Sequence, residues 1–197
     1  MLIPATARLA ARQRGTSMIE VLVSIVIVVV GLLGLAGLQT HASLAEAESF
    51  QRAQGILLLQ DMVDRINANR LNAASYVTAS PLGTGTTPGS CAALTTVVAR
   101  DQCEWAQSLL GAAETIGASR VGAMIDARGC VVNIVPNMPR QYQVSIVWQG
   151  VTSTKAPGTT CGTGLYGDEK TRRALTTTVT IGCLQNNPAS GICIFPP

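Results

Sequence analysis

The chain has few charged and few aromatic side chains: charged residues make up 13% and aromatic residues 4% of its 197 residues. It contains a single histidine, His41, and none of its cysteines forms a Cys-x-x-Cys pair. Zinc sites need Cys and His clustered at short spacing, and a Ser-His-Asp triad needs a well-placed histidine. The composition therefore predicts no metal site, no cofactor and no enzymatic activity.

The chain also lacks an excess of basic charge once its first residues are set aside. Arg8, Arg12 and Arg14 precede Gly15, and the remaining 11 basic residues match 11 acidic residues. A protein with a net charge near zero has no electrostatic basis for binding nucleic acid. By the positive-inside rule, the three arginines predict that this end stays in the cytoplasm and that the chain after Leu38 is exported.

One long apolar run is present, Val21 to Leu38, and its 18 residues carry no charge. As a helix the run would span about 27 Å, close to the hydrocarbon thickness of a bilayer. The alternative is a cleaved secretory signal with a weak cleavage site at Thr40-His41-Ala42. Glu20, directly before the run, disfavours that alternative because a secretory signal gains nothing from a carboxylate there. The run therefore predicts a membrane-spanning helix.

Glu20 is a candidate functional residue because an ionisable group that enters a bilayer costs several kcal/mol. If the chain is cut between Gly15 and Thr16, the new α-amino group lies close to Glu20 in sequence. On a neighbouring subunit shifted along the helix axis, that ammonium would neutralise the carboxylate.

The segment Arg14-Gly15-Thr16-Ser17-Met18-Ile19-Glu20-Val21 resembles the class III signal of type IV pilins and secretion pseudopilins. In that family a prepilin peptidase cuts after the glycine, the first mature residue is N-methylated and the fifth is Glu. The resemblance implies cleavage between Gly15 and Thr16, N-methylation of Thr16 and a role for Glu20 in assembly and register. The family most often begins its mature chain with Phe, whereas this chain has Thr16.

Two further strings, residues 31–39 (GLLGLAGLQ) and 57–70 (LLLQDMVDRINANR), are similar to pilus-modification minor pilins of the PilV type. The resemblance implies a low-abundance minor pilin that helps initiate type IV pili near the tip. Its implied partners are other minor and major pilins, the prepilin peptidase and the inner-membrane pilus assembly platform. The implied location is the inner membrane, single-pass with a cytoplasmic leader and a periplasmic C-terminal domain, and then the pilus at the cell surface.

Two other functions remain open at this point. A minor pseudopilin of a type II secretion system carries the same N-terminal motif, although residues 57–70 favour the pilus. A membrane-anchored periplasmic adhesin or enzyme would use the apolar run only as an anchor, with an uncut leader and no need for Glu20.

Apolar residues continue at helical spacing beyond the run, which predicts one helix from Thr16 to about Leu71. The inward stripe is Leu58, Leu59, Met62, Val63 and Ile66. Asp61 and Arg65 stand on another face in the favourable acid-first order and are predicted to form a solvated surface pair.

The rest of the chain reads as a connector, a short helix and strands. The connector is Thr78–Ser90, and the short helix is Arg100–Ala113 with Trp105, Leu109 and Ala112 facing inward. The predicted strands are Arg120–Ile125, Cys130–Val135, Gln141–Trp148 and Leu175–Cys183, with a hairpin turn at Asp126–Gly129. The third strand should be half-buried, with Tyr142, Val144, Ile146 and Trp148 on one face.

These elements predict an α+β fold in which a long N-terminal helix packs on a C-terminal antiparallel sheet of about four strands. The predicted divisions are a leader at 1–15 removed by the peptidase, a transmembrane or filament-core helix at 16–38, an amphipathic helix at 39–72 and a periplasmic domain at 73–197. Val151–Arg173 is predicted to be a long loop. Asp168 and Glu169 stand beside Lys170, Arg172 and Arg173 in it, which predicts a mixed-charge surface.

All six cysteines lie in the second half of the chain, where export predicts disulfides. They are Cys91, Cys103, Cys130, Cys161, Cys183 and Cys193. Six cysteines allow many connectivities that a sequence does not distinguish. We expect Cys91 to pair with Cys103, and Cys161 to pair with Cys183 or Cys193.

Overall fold

The computed structural model describes residues 17–111, 115–116, 119–120, 124–137, 139–182, 185–186 and 193–194. The chain divides into two compact units, Met1–Leu44 and Ala45–Pro197. Helix α1, Met18–Ala68, begins in the first unit and ends in the second. It agrees with the long helix predicted from sequence, whose first residue, Thr16, lies outside the described residues.

In the first unit, α1 exposes its apolar side chains. The Ser17 carbonyl accepts from the amides of Glu20 (3.0 Å) and Val21 (3.3 Å), which closes the first turn. By length and composition α1 is long and apolar enough to cross a membrane, and its most apolar 18-residue stretch has no buried part. A stretch of this kind is stable in lipid because the helix satisfies its own backbone hydrogen bonds.

In the second unit, α1 packs one face against a sheet. Met62 and Ile66 are fully buried, and Leu58, Leu59 and Val63 pack against the same core, as the sequence stripe predicts. A Cβ at Gly55 would lie 3.0 Å from Leu175 Cδ1, so this glycine allows helix and sheet to approach closely. A 3-10 helix, Arg70–Tyr76, follows α1.

The main sheet has four antiparallel strands in the order β1-β4-β5-β6. Their bounds are β1 Leu82–Gly83, β4 Arg128–Val135, β5 Arg140–Gln149 and β6 Arg172–Ile181. Two separate two-stranded ladders join β2 Thr115–Ile116 to β3 Ser119–Arg120 and β7 Gln185–Asn186 to β8 Cys193–Ile194. The architecture is the predicted α+β arrangement.

The predicted first strand, Arg120–Ile125, is wrong over its described residues beyond Arg120. β3 ends at Arg120, residues 121–123 lie outside the described residues, and Met124 and Ile125 are not in a strand. The predicted hairpin turn at Asp126–Gly129 is also wrong, because Arg128 and Gly129 already pair with β5. The fourth place in the sheet belongs to β1, which lies inside the predicted connector Thr78–Ser90.

The short helix is α2, Val97–Leu109, and it begins earlier than Arg100. The Thr96 hydroxyl accepts a hydrogen bond from the Ala99 amide (3.2 Å), a side-chain cap that starts the helix. Trp105 and Leu109 are buried, as predicted, whereas Ala112 lies outside the described residues.

β5 is buried on both faces at its centre, although alternation predicts a half-buried strand. Tyr142, Val144, Ile146 and Trp148 face the main core. On the opposite face Val147 is fully buried in a second cluster with Cys130, Cys161 and Tyr166. The loop that carries Cys161 and Tyr166 thus covers the outer face, which sequence alternation does not reveal.

Candidate assembly site

Of the three residues that the pilin-like signal singles out, Glu20 is described, and Gly15 and Thr16 lie outside the described residues. Glu20 lies in the first turn of α1, where a negative charge interacts favourably with the helix dipole. Its side chain is exposed, and within the described part of the chain it has no ion pair. The nearby Ser24 hydroxyl donates to the Glu20 backbone carbonyl (2.7 Å) and leaves the carboxylate available.

The apolar surface of α1 after Glu20 is continuous and uncovered within the first unit. Large aliphatic side chains from Val21 to Leu38 are each about half exposed or more. A Cβ at Gly31, Gly34 or Gly37 would meet nothing within 4 Å, so the backbone at these positions is open to a close neighbour. Small residues of this kind let membrane helices pack tightly. His41 is exposed.

In the second unit, Arg65 is the centre of a charge network. It binds Asp61 (3.0 Å), Asp101 (3.0 Å) and Glu104 (2.7 Å). The predicted pairing of Asp61 with Arg65 is confirmed. Its description as a solvated surface pair is wrong, because α2 supplies two further carboxylates and leaves the Arg65 side chain only 22% exposed. Partial burial disfavours the charged guanidinium, but hydrogen bonds to Glu104, Asp61 and Asp101 outweigh it and raise the pKa of Arg65.

Tyr76 extends the same network. Its hydroxyl donates to Asp101 and accepts from the Asn69 amide (3.3 Å). Burial and the bond to Asp101 raise the pKa of Tyr76 to about 12. The network thus ties the end of α1, the 3-10 helix that follows it and α2 into one body.

A second ion pair joins α1 to the long loop. Arg173 at the start of β6 contacts Glu48 on α1 (3.0 Å), and the Thr152 hydroxyl donates to the same Glu48 oxygen (2.8 Å). Arg173 also donates to the Thr152 carbonyl (2.7 Å). Glu48 therefore holds both ends of the loop against the helix.

The predicted mixed-charge surface around Asp168, Glu169 and Lys170 is wrong for the neighbouring Arg172, which is buried. Its side chain is only 3% exposed and is paired with Glu169 at 2.6 Å. It also donates to the carbonyls of Thr159 (2.8 Å) and Cys161 (3.0 Å). The buried Arg172 side chain therefore holds the loop in place through these hydrogen bonds. A sequence pattern that mixes acidic and basic residues does not distinguish Arg172 from its exposed neighbours.

Two disulfides are described. Cys91 is bonded to Cys103, the pair predicted from sequence. The predicted partner of Cys161 is wrong, because Cys161 is bonded to Cys130 on β4. Cys183 and the side chain of Cys193 lie outside what the structure describes. The second disulfide fixes the loop to the outer face of the sheet.

Comparison with known families adds one finding. Residues 37–109 match the family model described as Tt1218-like, Type IV pilin Tt1218. The match supports a type IV pilin family. It covers the second part of α1 and all of α2. With the apolar α1, it fits a membrane-anchored, pilus-associated protein. No curated protein and no solved structure matches the chain.

Proposed function

We propose that this chain is a minor pilin of the PilV type that helps to initiate type IV pilus assembly near the tip. The prepilin peptidase cuts between Gly15 and Thr16, the leader stays in the cytoplasm and the domain after α1 faces the periplasm. Subunits then leave the inner membrane through the assembly platform and join minor and major pilins. The observation that carries the proposal is the exposed apolar helix with a single carboxylate, Glu20, in its first turn.

The carboxylate has a physical role in this assembly. In lipid or in the core of a filament, an uncompensated charge costs several kcal/mol, whereas a paired charge is tolerated. The α-ammonium of Thr16 on an adjoining subunit supplies the opposite charge once the leader is removed, and N-methylation of Thr16 keeps that charge. Subunits that align Glu20 with this ammonium are favoured over other registers.

The first test is replacement of Glu20. We expect Glu20→Val to insert into the membrane and to be cleaved, but to be absent from filaments sheared from cells. The matched control is Glu46→Val, which removes an exposed carboxylate from α1 outside the apolar run. Normal incorporation of Glu20→Val defeats the pairing role of Glu20.

The second test measures the mass of the intact chain extracted from membranes. A chain that begins at Thr16, with one added methyl group, agrees with the proposal. A chain that begins at Met1, or a terminal amine blocked as a neutral amide, removes the required cation and contradicts it. Release by shearing is expected for a pilus subunit, whereas retention in the periplasm would favour a secretion pseudopilus.

A further inference from the structure

β6 is an edge strand with a long open side. It is the last strand of the main sheet, and within the described residues it pairs only with β5. Its register against β5 is continuous for ten residues, from Arg140 opposite Ile181 to Gln149 opposite Arg172. The pairing of β6 with β5 is therefore regular along the whole strand, with no bulge.

One hydrogen bond shows which residues of β6 direct their backbone amide and carbonyl groups away from β5. The Gly150 amide donates to the Thr171 carbonyl (2.8 Å), the residue opposite it when the register of β5 and β6 is continued, so residue 171 directs its carbonyl toward β5. In such a ladder bonded and non-bonded pairs alternate. Residues 173, 175, 177, 179 and 181 therefore bond to β5, and residues 174, 176, 178 and 180 direct their amides and carbonyls away from it.

A second hydrogen bond agrees with this alternation of inward and outward backbone groups. Arg172 belongs to the outward set, and its amide donates to the Glu169 carbonyl (3.2 Å) instead of to β5. From Ala174 onward, no outward amide or carbonyl of β6 has a backbone partner outside β5 among the residues that the structure describes. The open side begins where the loop ends.

The open side lacks the features that usually protect an edge strand. Natural edges are kept short or carry proline, charged residues or bulges, because unpaired backbone groups recruit other strands. β1, the opposite edge, has two residues. From Ala174 to Ile181, β6 contains no charged residue, no proline and no register shift. An edge strand of this composition is suited to pairing with another strand.

The two faces of β6 differ in a way that suits an added strand. Val179 and Ile181 belong to the main core, and Leu175 packs against it. Thr176, Thr178 and Thr180 lie exposed on the other face. A strand placed beside β6 would extend the sheet with apolar side chains on one face and hydroxyl groups on the other. Threonines in adjacent strands pair favourably.

We propose that β6 accepts an extended strand from a neighbouring pilin subunit. The geometry points to a backbone strand as the occupant, because the outward donors and acceptors recur every second residue, at about 7 Å spacing. The partner segment is uncharged opposite 174–181, since β6 offers no counter-charge there. A pilin as the source of the strand rests on the proposed function, in which pilins are the molecules that surround this chain.

Hydrogen exchange at single residues tests the proposal on the unaltered protein. In the full chain in detergent, we expect the amides of Thr177 and Val179 to exchange slowly, and those of Thr176, Thr178 and Thr180 to exchange fast. In sheared filaments that contain the chain, the latter three should slow by about tenfold or more. Slow exchange of all five amides in the isolated chain means that another segment of the same chain covers the edge, which overturns the proposal.

A pair of variants at one position gives an independent test. Thr178→Pro removes an outward amide without removing a bond to β5, so it should lower the amount of chain in sheared filaments by about tenfold. Thr178→Ala keeps the amide and should be incorporated like the wild type. Equal loss for both variants assigns the effect to the threonine side chain and overturns strand addition.

The results separate this inference from the proposed function. If the chain is present in sheared filaments while its outward amides still exchange fast, strand addition is wrong and the pilin function stands. If the chain is absent from filaments, both are wrong. Thermal unfolding of Thr178→Pro in detergent should resemble the wild type, and the exchange measurement decides the matter without that variant.

Discussion

The indole ring of Trp105 lies directly over the backbone of Gly129. A Cβ at position 129 would be 2.1 Å from Trp105 Cη2, far inside van der Waals contact. The indole Nε1 donates to the Leu58 carbonyl (2.9 Å), which anchors the ring to α1 as well. One fully buried side chain of α2 therefore joins α1 to β4, and only glycine fits beneath it.

Gly129→Ala should lower the free energy of unfolding by about 1–3 kcal/mol, because the added methyl group forces the buried ring to move. Denaturant unfolding of the full chain in detergent measures the change. Gly158→Ala is the matched control, since a Cβ there meets nothing within 4 Å. Equal stability of the two variants would contradict the packing of Trp105 on Gly129.

Arg65→Met should destabilise the protein by about 1–3 kcal/mol, since hydrogen bonds to charged groups are lost and three carboxylates remain close together. The comparison is Arg70→Met, because Arg70 is exposed and has no ion pair in the described part of the chain. Thermal unfolding in detergent is the measurement. A loss no greater than that of the control would mean that the network is an ordinary surface feature.

Glu48 should make stability depend on pH in the acidic range. A hydrogen bond from Thr152, together with Arg173, lowers the pKa of Glu48 below its usual 4.5. The ionised form is therefore favoured by folding, so the contribution is complete above about pH 4.5 and is lost as the pH falls through the lower native value. The stability difference between the wild type and Glu48→Gln should shrink below that pH.

The two disulfides should differ in their effect on stability. Cys130–Cys161 closes a loop with a sequence separation of 31, and Cys91–Cys103 one of 12. Loop-closure entropy predicts losses of about 4 and about 3 kcal/mol on replacing each pair with alanine. Loss of Cys130–Cys161 also uncovers the cluster around Val147. Denaturant unfolding of the two double variants measures both losses. A larger loss of stability for the Cys91–Cys103 variant would contradict the predicted order.

Local patterns predicted the elements of the fold well, but not the contacts that lie far apart in sequence. Met62 and Ile66 were predicted to be buried because helical periodicity reflects the side that faces a core. The role of Arg65 was not predictable, because its carboxylate partners Asp101 and Glu104 are 36 and 39 residues away. The bond between Cys130 and Cys161 was missed for the same reason.

By itself the sequence determined that an apolar helix follows Glu20 and that an amphipathic helix and β-strands come after it. Those properties depend on residues that are neighbours in the chain. Only the tertiary structure decided that β1 takes the fourth place in the sheet, that Cys130 is bonded to Cys161 and that, among the described residues, β6 pairs with β5 alone. Pairings of this kind depend on how the whole chain closes on itself, and local hydrophobicity does not specify that closure.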